Sequence, residues 1–382
     1  MHHAFSHVLC ITPPYILQRI AERGTPAQQA TAQMSLAISE RIREQRRNTS
    51  VSELEAAVKS VGQKDRQVYD AHHGSNLPGV LVRVEGDPPT GDPAVDEAYD
   101  GSGATYDLYW EAYQRNSIDN QGLRMINTVH YQQGYDNAFW NGTQMVYGDG
   151  DEDLPPDQRL FNRFTIAIDV IGHELTHGVT QYEANLNYAN QPGALNESIS
   201  DVFGSLVKQR KLGQTANDAD WIIGEGLFTA NVNGVGIRSM KAPGTAYDDP
   251  VLGKDPQPAN MSNYVNTLED NGGVHINSGI PNHAFYVTAV QIGGFAWEKA
   301  GMIWYVTLRD KLSASSNFQD AADLTFQCAG ELYGDNSLEQ QAVRTGWQEV
   351  GITVGGNGGT DQNPGCLPSL LRIFGLSGSP KS

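Results

Sequence analysis

The sequence predicts an α+β protein of two or three compact units, and three observations carry the helical and size parts of that prediction. The run Phe164–Ile171 is apolar at Phe164, Ile166, Ala167, Ile168, Val170 and Ile171, so a largely buried helix is expected there, running on through Thr180. A second stripe of Leu195, Ile199, Val202, Phe203 and Leu206 has helical spacing between Gly193 and Lys211. The 382 residues, 39% of them hydrophobic, suffice for a large core and exceed what one small domain holds. The β-rich share of the prediction rests on motifs taken up below.

In chain order, the first fifty residues read as two helices. One runs from Pro14 to Arg23 and stops at Gly24; Thr25 and Pro26 then supply a cap and a first helical residue for a second, running to about Arg47. Met34, Ala37, Ile38, Arg41 and Ile42 form its expected inner stripe. A short capped helix is expected to start at Ser52–Glu55. Residues 1–50 hold six arginines, no lysine and three glutamates, a net of +3 in a chain of −18, so the remainder carries −21. A basic arm beside an acidic body implies an intramolecular partner; nucleic acid would be repelled by the body.

Within the first buried helix stands His173-Glu174-Leu175-Thr176-His177. At about 100° per residue, four steps return to within roughly 40° of the start, so the two imidazoles project side by side and can grip one zinc ion. Glu174 lies on an adjoining strip, where its carboxylate reaches a zinc-bound water and not the metal. A buried helix does not carry such groups without partners, because each unpaired polar group costs about 1–3 kcal/mol. A catalytic zinc needs a third protein ligand and an open position. Asn196-Glu197-Ser198-Ile199-Ser200-Asp201 provides one: Glu197 is assigned as the ligand, and Asp201, a turn later, as the carboxylate that accepts the far N–H of a ligating histidine. The other common zinc-peptidase layout wants a glycine and a ligand where this chain has Thr180 and Glu183, so it does not apply.

Five separated stretches, HELTH, NESISD, Asp136–Asp151 (DNAFWNGTQMVYGDGD), Ile237–Met240 (IRSM) and Asp270–Phe285 (DNGGVHINSGIPNHAF), stand in the order found in the thermolysin-like metallopeptidases. The chain resembles that family from about Val80 to Val354. The resemblance implies a zinc-dependent neutral endopeptidase with a β-rich N-terminal lobe (68–183), a helical C-terminal lobe (184–354) and the active-site helix between them. It implies Glu174 as general base and later proton donor, acting on a water whose pKa zinc lowers from near 16 towards about 7. His275 and Tyr188 match groups that hydrogen-bond the oxyanion, and Asp270 matches the carboxylate that orients His275. Asn137, the Ala138 carbonyl and Arg238 match groups that hold the substrate backbone. Phe161, Phe164, Val170, Ile223, Leu227 and Ile237 match the pocket beyond the scissile bond; all six are apolar, so cleavage is expected on the amino side of large hydrophobic residues.

Where long-propeptide relatives hold paired calcium ions, this chain has Asp169, Lys208, Asp220, Ile222 and Glu225. An ammonium in that shell replaces a cation, so the Lys208 charge is expected among the three acids and the enzyme is expected to need one zinc per chain but not calcium. Asp149–Asp153 lacks the spacing of a calcium loop and reads as a solvated acidic turn. Cys10-Ile11-Thr12-Pro13-Pro14-Tyr15-Ile16-Leu17 resembles the short propeptide of the protealysin-like subgroup. Pro13, Pro14 and Tyr15 are therefore expected to block the cleft without offering a cleavable bond in register, and residues 1–67 to form an inhibitory propeptide acting in cis. Cys10 is read as a buried thiol before a zinc ligand.

Cys10, Cys328 and Cys366 are too few and scattered for a disulfide framework. No apolar run approaches a membrane span, and no standard signal peptide is visible; secretion is implied by the resemblance alone, with an intracellular site as the alternative. Residues 355–382 read as a flexible tail with no assigned function. His72, His73, His130 and His283 are left as surface or core histidines, and Asn141-Gly142-Thr143 as a turn. Protein and peptide substrates and a monomeric state are expected. The rival reading is a catalytically silent peptide-binding homologue, against which every catalytic position carries the required residue type.

Overall fold

The computed structural model describes residues 9–48 and 61–354. The helix expected at Ser52–Glu55 and the tail with Cys366 lie outside the described residues. Chain order begins with β1 (Leu9–Cys10), α1 (Pro14–Arg23) and α2 (Pro26–Asn48), which make the N-terminal arm. Proline opens both helices, and Gly24 closes α1 by donating its N–H to the Ile20 carbonyl.

The N-terminal lobe is built on β2 (Arg66–Asp70), β3 (Val80–Val84), β4 (Met125–Val129), β5 (Ala138–Trp140) and β6 (Met145–Tyr147), backed by α3 (Pro93–Asp107). The sheet runs β1-β5-β6-β4-β2-β3, so the arm contributes its edge strand, antiparallel to β5. β4 pairs in parallel with both β2 and β6. Because β2 starts at Arg66, the sheet takes in Arg66 and Gln67.

α4 (Ile168–Tyr182) and α5 (Asn190–Leu212) form the centre of the molecule, and both are buried along most of their length. The apolar run 164–171 is not all helix: Phe164–Ala167 form a turn, and α4 begins at Ile168. Ile166 points to solvent in that turn while Phe164 is fully buried, which is why burial alone mimicked helical periodicity. Beyond α5 come the paired strands β7 (Ile222–Ile223) and β8 (Arg238–Ser239), then α6 (Asp270–Asn277), α7 (Gly279–Ile292), α8 (Ala300–Asp310), α9 (Phe318–Tyr333) and α10 (Leu338–Glu349). A β-sheet lobe and a helical lobe meet across α4, as the α+β expectation requires. Among the described residues no helix is long and apolar enough to cross a membrane.

The buried face of α2 differs from the expected stripe. Ile38 and Ile42 are inside, but Met34, Ala37 and Arg41 face out, and Gln28, Thr31, Ala32, Ser35 and Ser39 are buried instead. The body presents hydrogen-bonding groups here: Asp136 N–H donates to Ser35 Oγ, Ser39 Oγ lies 3.2 Å from Tyr135 Oη, and Gln28 donates to the Gln158 carbonyl. Small polar side chains answer that surface better than methionine does. Arg19 pairs with Glu22 inside α1 at 3.3 Å, and the arm meets the acidic body through apolar side chains and hydrogen bonds.

Candidate active site

Two glycines let α4 and α5 approach closely. A Cβ on Gly204 of α5 would stand 2.4 Å from the Asp169 carbonyl oxygen of α4, and one on Gly172 of α4 would stand 3.0 Å from Gly204 Cα. Their absence brings the inner faces together, so His173 and His177 of α4 meet Glu197 and Asp201 of α5, all four without solvent exposure. His173 Nδ1 faces Asp201 Oδ1 at 2.8 Å; His177 Nδ1 faces Asn196 Oδ1 at 2.8 Å and Ser200 Oγ at 2.9 Å. Ionised carboxylate and amide oxygens only accept, which puts each ring's proton on Nδ1 and directs an Nε2 lone pair inward.

Those two Nε2 atoms are 3.0 Å apart, and each lies 3.5 Å from a Glu197 oxygen. Ligands about 2.0–2.1 Å from a tetrahedral zinc stand about 3.3 Å from one another, so the three donors fit the edges of one coordination tetrahedron. Glu197 Oε2 is buried with no hydrogen-bond partner, an orphan that a cation would satisfy. The charge pattern agrees. Burial opposes a charge on His173, yet Asp201 and Glu197 override it and raise the ring to about 9, whereas burial drives His177 down to about 3. The cluster draws in positive charge, and a shared ion supplies it without protonating a ligand.

Glu174 turns from the metal-ligand face towards β5. Its Oε2 accepts the Trp140 N–H at 3.1 Å, while Oε1 is buried and unpartnered; burial pushes its carboxyl well above the usual range. Opposite, α6 opens with left-handed backbone at Asn271, Gly272 (φ 87°) and Gly273 (φ 75°), conformations that glycine adopts without steric cost. This reversal folds Asp270 back onto His275: its carboxylate takes the His275 backbone N–H at 2.8 Å and meets Nδ1 at 2.6 Å. Tyr188 Oη stands 3.2 Å from His275 Nε2 and donates to Glu197.

The arm lies along this constellation. His275 Nε2 is 3.1 Å from the Cys10 carbonyl oxygen, Ile11 N–H donates to the Ala138 carbonyl at 3.2 Å, and Arg238 donates to the Ile11 carbonyl at 3.2 Å. Thr12 N–H donates to Asn137 Oδ1 at 2.9 Å. Thus Asn137, Ala138 and Arg238 hold the backbone of the chain's own arm, where the sequence reading expected them to hold a substrate's. The main-chain contacts come from Cys10 to Thr12, one step before the expected plug: Pro13 caps α1, Pro14 opens it, and Tyr15 is half-buried behind them. The Cys10–Ile11 peptide bond lies between these contacts. The prolines set the direction of α1, and the arm atom that stands by His275 Nε2 is the Cys10 carbonyl oxygen. Phe161, Phe164, Val170, Ile223, Leu227 and Ile237 are fully buried, in one continuous core with Ile11, Ile16, Leu17 and Ile20.

Three site residues escaped the sequence reading. Asn196 and Ser200 hold His177, and Asn282 donates to Asp201 Oδ2 at 2.8 Å. Asn196 and Ser200 repeat, one residue earlier, the one-turn spacing that identified Glu197 and Asp201, so a signal existed for them; nothing local marked Asn282. Arg238 also clasps Asp201 through two 2.8 Å bonds, coupling the substrate side to the His173 partner. Cys10 is buried, and the group able to hold a metal among the described residues is His173, His177 and Glu197.

At the far side of α4, Lys208 Nζ stands 2.9 Å from Asp220, 3.3 Å from Asp169 and Glu225, and 2.9 Å from the Ile222 carbonyl, the arrangement expected for it. The acidic turn is less solvated than expected: Asp151 is buried and accepts the Leu160 and Phe161 N–H groups, and Asp149 pairs with His130. Asn141–Thr143 is the expected turn, with Asn141 Oδ1 accepting the Thr143 and Gln144 N–H groups.

The family descriptions "Thermolysin metallopeptidase, catalytic domain" and "Thermolysin metallopeptidase, alpha-helical domain" match residues 37–181 and 184–352. An "Extracellular metalloprotease" of Pectobacterium carotovorum subsp. carotovorum is 52% identical over 353 residues, covering 91% of this chain and 98% of that one. "Protease PrtS" of a Photorhabdus species is 48% identical, over 90% of this chain and 92% of that one. Among solved structures, the "Precursor of Protealysin, Metalloproteinase from Serratia proteamaculans" superposes with a TM-score of 0.82 at 52% identity, covering 90% of this chain and 100% of that one.

Proposed function

Because this chain belongs to the thermolysin metallopeptidase family, and is a zinc-dependent metalloendopeptidase, we propose that it is made latent and that its N-terminal arm blocks its own substrate cleft through Cys10–Thr12. The observation that carries this reading is the backbone clasp of Cys10–Thr12 on Ala138, Asn137, Arg238 and His275, directly over the His173, His177 and Glu197 cluster. The likeness to a protease precursor over nearly the whole chain supports it.

Zinc held by His173, His177 and Glu197 would polarise the substrate carbonyl and lower the pKa of a water towards about 7. The chain's own residues do the rest. Glu174 accepts the water's proton on its unpartnered oxygen and returns it to the leaving nitrogen. His275, held by Asp270, and Tyr188 donate towards the oxygen of the carbonyl under attack. β5 and Arg238 fix the substrate strand antiparallel to the sheet edge, so its reacting bond is positioned before chemistry begins.

The six buried apolar residues favour a large hydrophobic side chain just after the scissile bond, each buried methylene contributing about 0.8 kcal/mol. Lys208 fills the acidic cluster, which supports function without calcium. Work outside the cell is supported by a relative named as extracellular. The test is to measure zinc content and peptide-library cleavage before and after trimming the arm. One zinc per chain, cleavage of the library only after trimming, and cuts before Leu, Ile or Phe are expected; cuts before charged residues, or cleavage of added peptides by the untrimmed chain, would contradict the proposal.

A further inference from the structure

The clasp on the arm brackets one peptide bond. On one side, the Cys10 carbonyl oxygen faces His275 Nε2 at 3.1 Å, and Tyr188 Oη is 3.2 Å from that same nitrogen. On the other, the Ile11 N–H goes to the Ala138 carbonyl, the Ile11 carbonyl to Arg238, and the Thr12 N–H to Asn137. The strand is antiparallel to β5, and Ile11, the residue after the bond, is fully buried and belongs to the apolar class that the pocket selects. A blocker that avoids cleavage would be expected to run backwards, or to put an N–H-less proline at the reacting nitrogen; here the first proline is two residues further on.

We infer that Cys10–Ile11 is a scissile bond and that the chain cuts it in cis, shedding residues 1–10 while remaining latent. The inference rests on the catalytic reading above. In the step, water's oxygen joins the Cys10 carbonyl carbon and the bond to the Ile11 nitrogen breaks. Glu174 carries the two water protons in turn to that nitrogen, leaving a Cys10 carboxylate and an Ile11 ammonium.

Latency survives the cut because the two products are held differently. Of the described residues on the N-terminal side, Leu9 and Cys10 pair with β5 and Cys10 packs in a small cluster, and once the bond is cut no covalent link to α1 retains that product. Ile11 is instead continuous with α1, whose Ile16, Leu17 and Ile20 are buried, and with α2 beyond it. The part filling the far side of the cleft stays tethered, and activation needs a second event that removes α1 and α2.

The experiment follows intact mass and N-terminal sequence of the zinc-loaded full chain over time at several dilutions, beside Glu174→Gln and Ile11→Gly. Loss of residues 1–10, a new N-terminus at Ile11, a rate constant independent of chain concentration and continued inactivity towards added peptides are expected. Glu174→Gln should stay whole and Ile11→Gly should be cut at least tenfold more slowly. A first cut elsewhere, or a rate that rises with concentration, would overturn the inference. So would an intact bond in protein that digests peptides once an unrelated protease has trimmed its arm, although the function would then stand. Zinc-loaded protein that is both uncut and inert after trimming would defeat the catalytic reading, and the inference with it.

Discussion

Lys208 shows how one residue sets the chemistry of a neighbourhood. Asp169 is fully buried, and burial pushes its carboxyl up; the Lys208 charge 3.3 Å away opposes that and makes an ionised group tolerable in the core. Replacing the ammonium by a neutral chain of similar length leaves the acid without its countercharge. Lys208→Met is therefore expected to lower unfolding stability by about 3 kcal/mol in urea titrations, and to make the protein respond to added calcium. The parent should show the same melting temperature with and without a calcium-selective chelator. At this scale the sequence was highly legible: the lysine stood where acids were anticipated, and its partners could be named. Asn282 was not legible, because its bond to Asp201 joins residues 81 apart in sequence with no pattern linking them.

Between elements, the separation of α4 and α5 decides whether three donors make one site. Gly204→Ala would place a methyl group 2.4 Å from the Asp169 carbonyl oxygen, which is backbone and cannot swing away. The expected result is a stability loss of about 1–3 kcal/mol with weaker zinc retention during dialysis, although no ligand has been touched. A second junction joins α3 to the acidic turn. Asp92 caps α3 through Ala94 N–H, and its other oxygen meets His130, which also pairs with Asp149; His73 approaches Asp149 at 3.6 Å. The Asp149 hydrogen bond, against the cost of burial and helped by Asp92, raises His130 to about 9. Its folded value exceeds the unfolded one of about 6.5, so the stabilisation is complete below about 6.5 and is lost as pH rises through about 9. His130→Gln should remove about 1 kcal/mol at pH 6 and much less at pH 10, by denaturant midpoints at both. Neither junction was read from sequence: glycines inside helices are ordinary, and His130 offered no spacing to interpret.

For the whole molecule, the arm is both an edge strand of the catalytic sheet and part of the core. Ile16, Leu17 and Ile20 bury their side chains with the body, so its release costs apolar burial of about 1.5–3 kcal/mol for each. Leu17→Asp should loosen the arm and speed the appearance of peptide-cleaving activity in a time course at least tenfold. By itself, the sequence determined the donors and their pairing, because ligand chemistry demands fixed residue types and a helix returns side chains to one face every turn. It also determined α1 and α2 to within a residue, because proline and glycine act on the backbone locally. Only the tertiary structure decided which α2 face turns inward, where α4 begins, and that the backbone of Cys10–Thr12 makes the hydrogen bonds to the active-site residues. Those outcomes depend on what the opposing surface offers, a row of hydrogen-bonding groups or an open sheet edge, and no local pattern in the chain encodes its partner's surface.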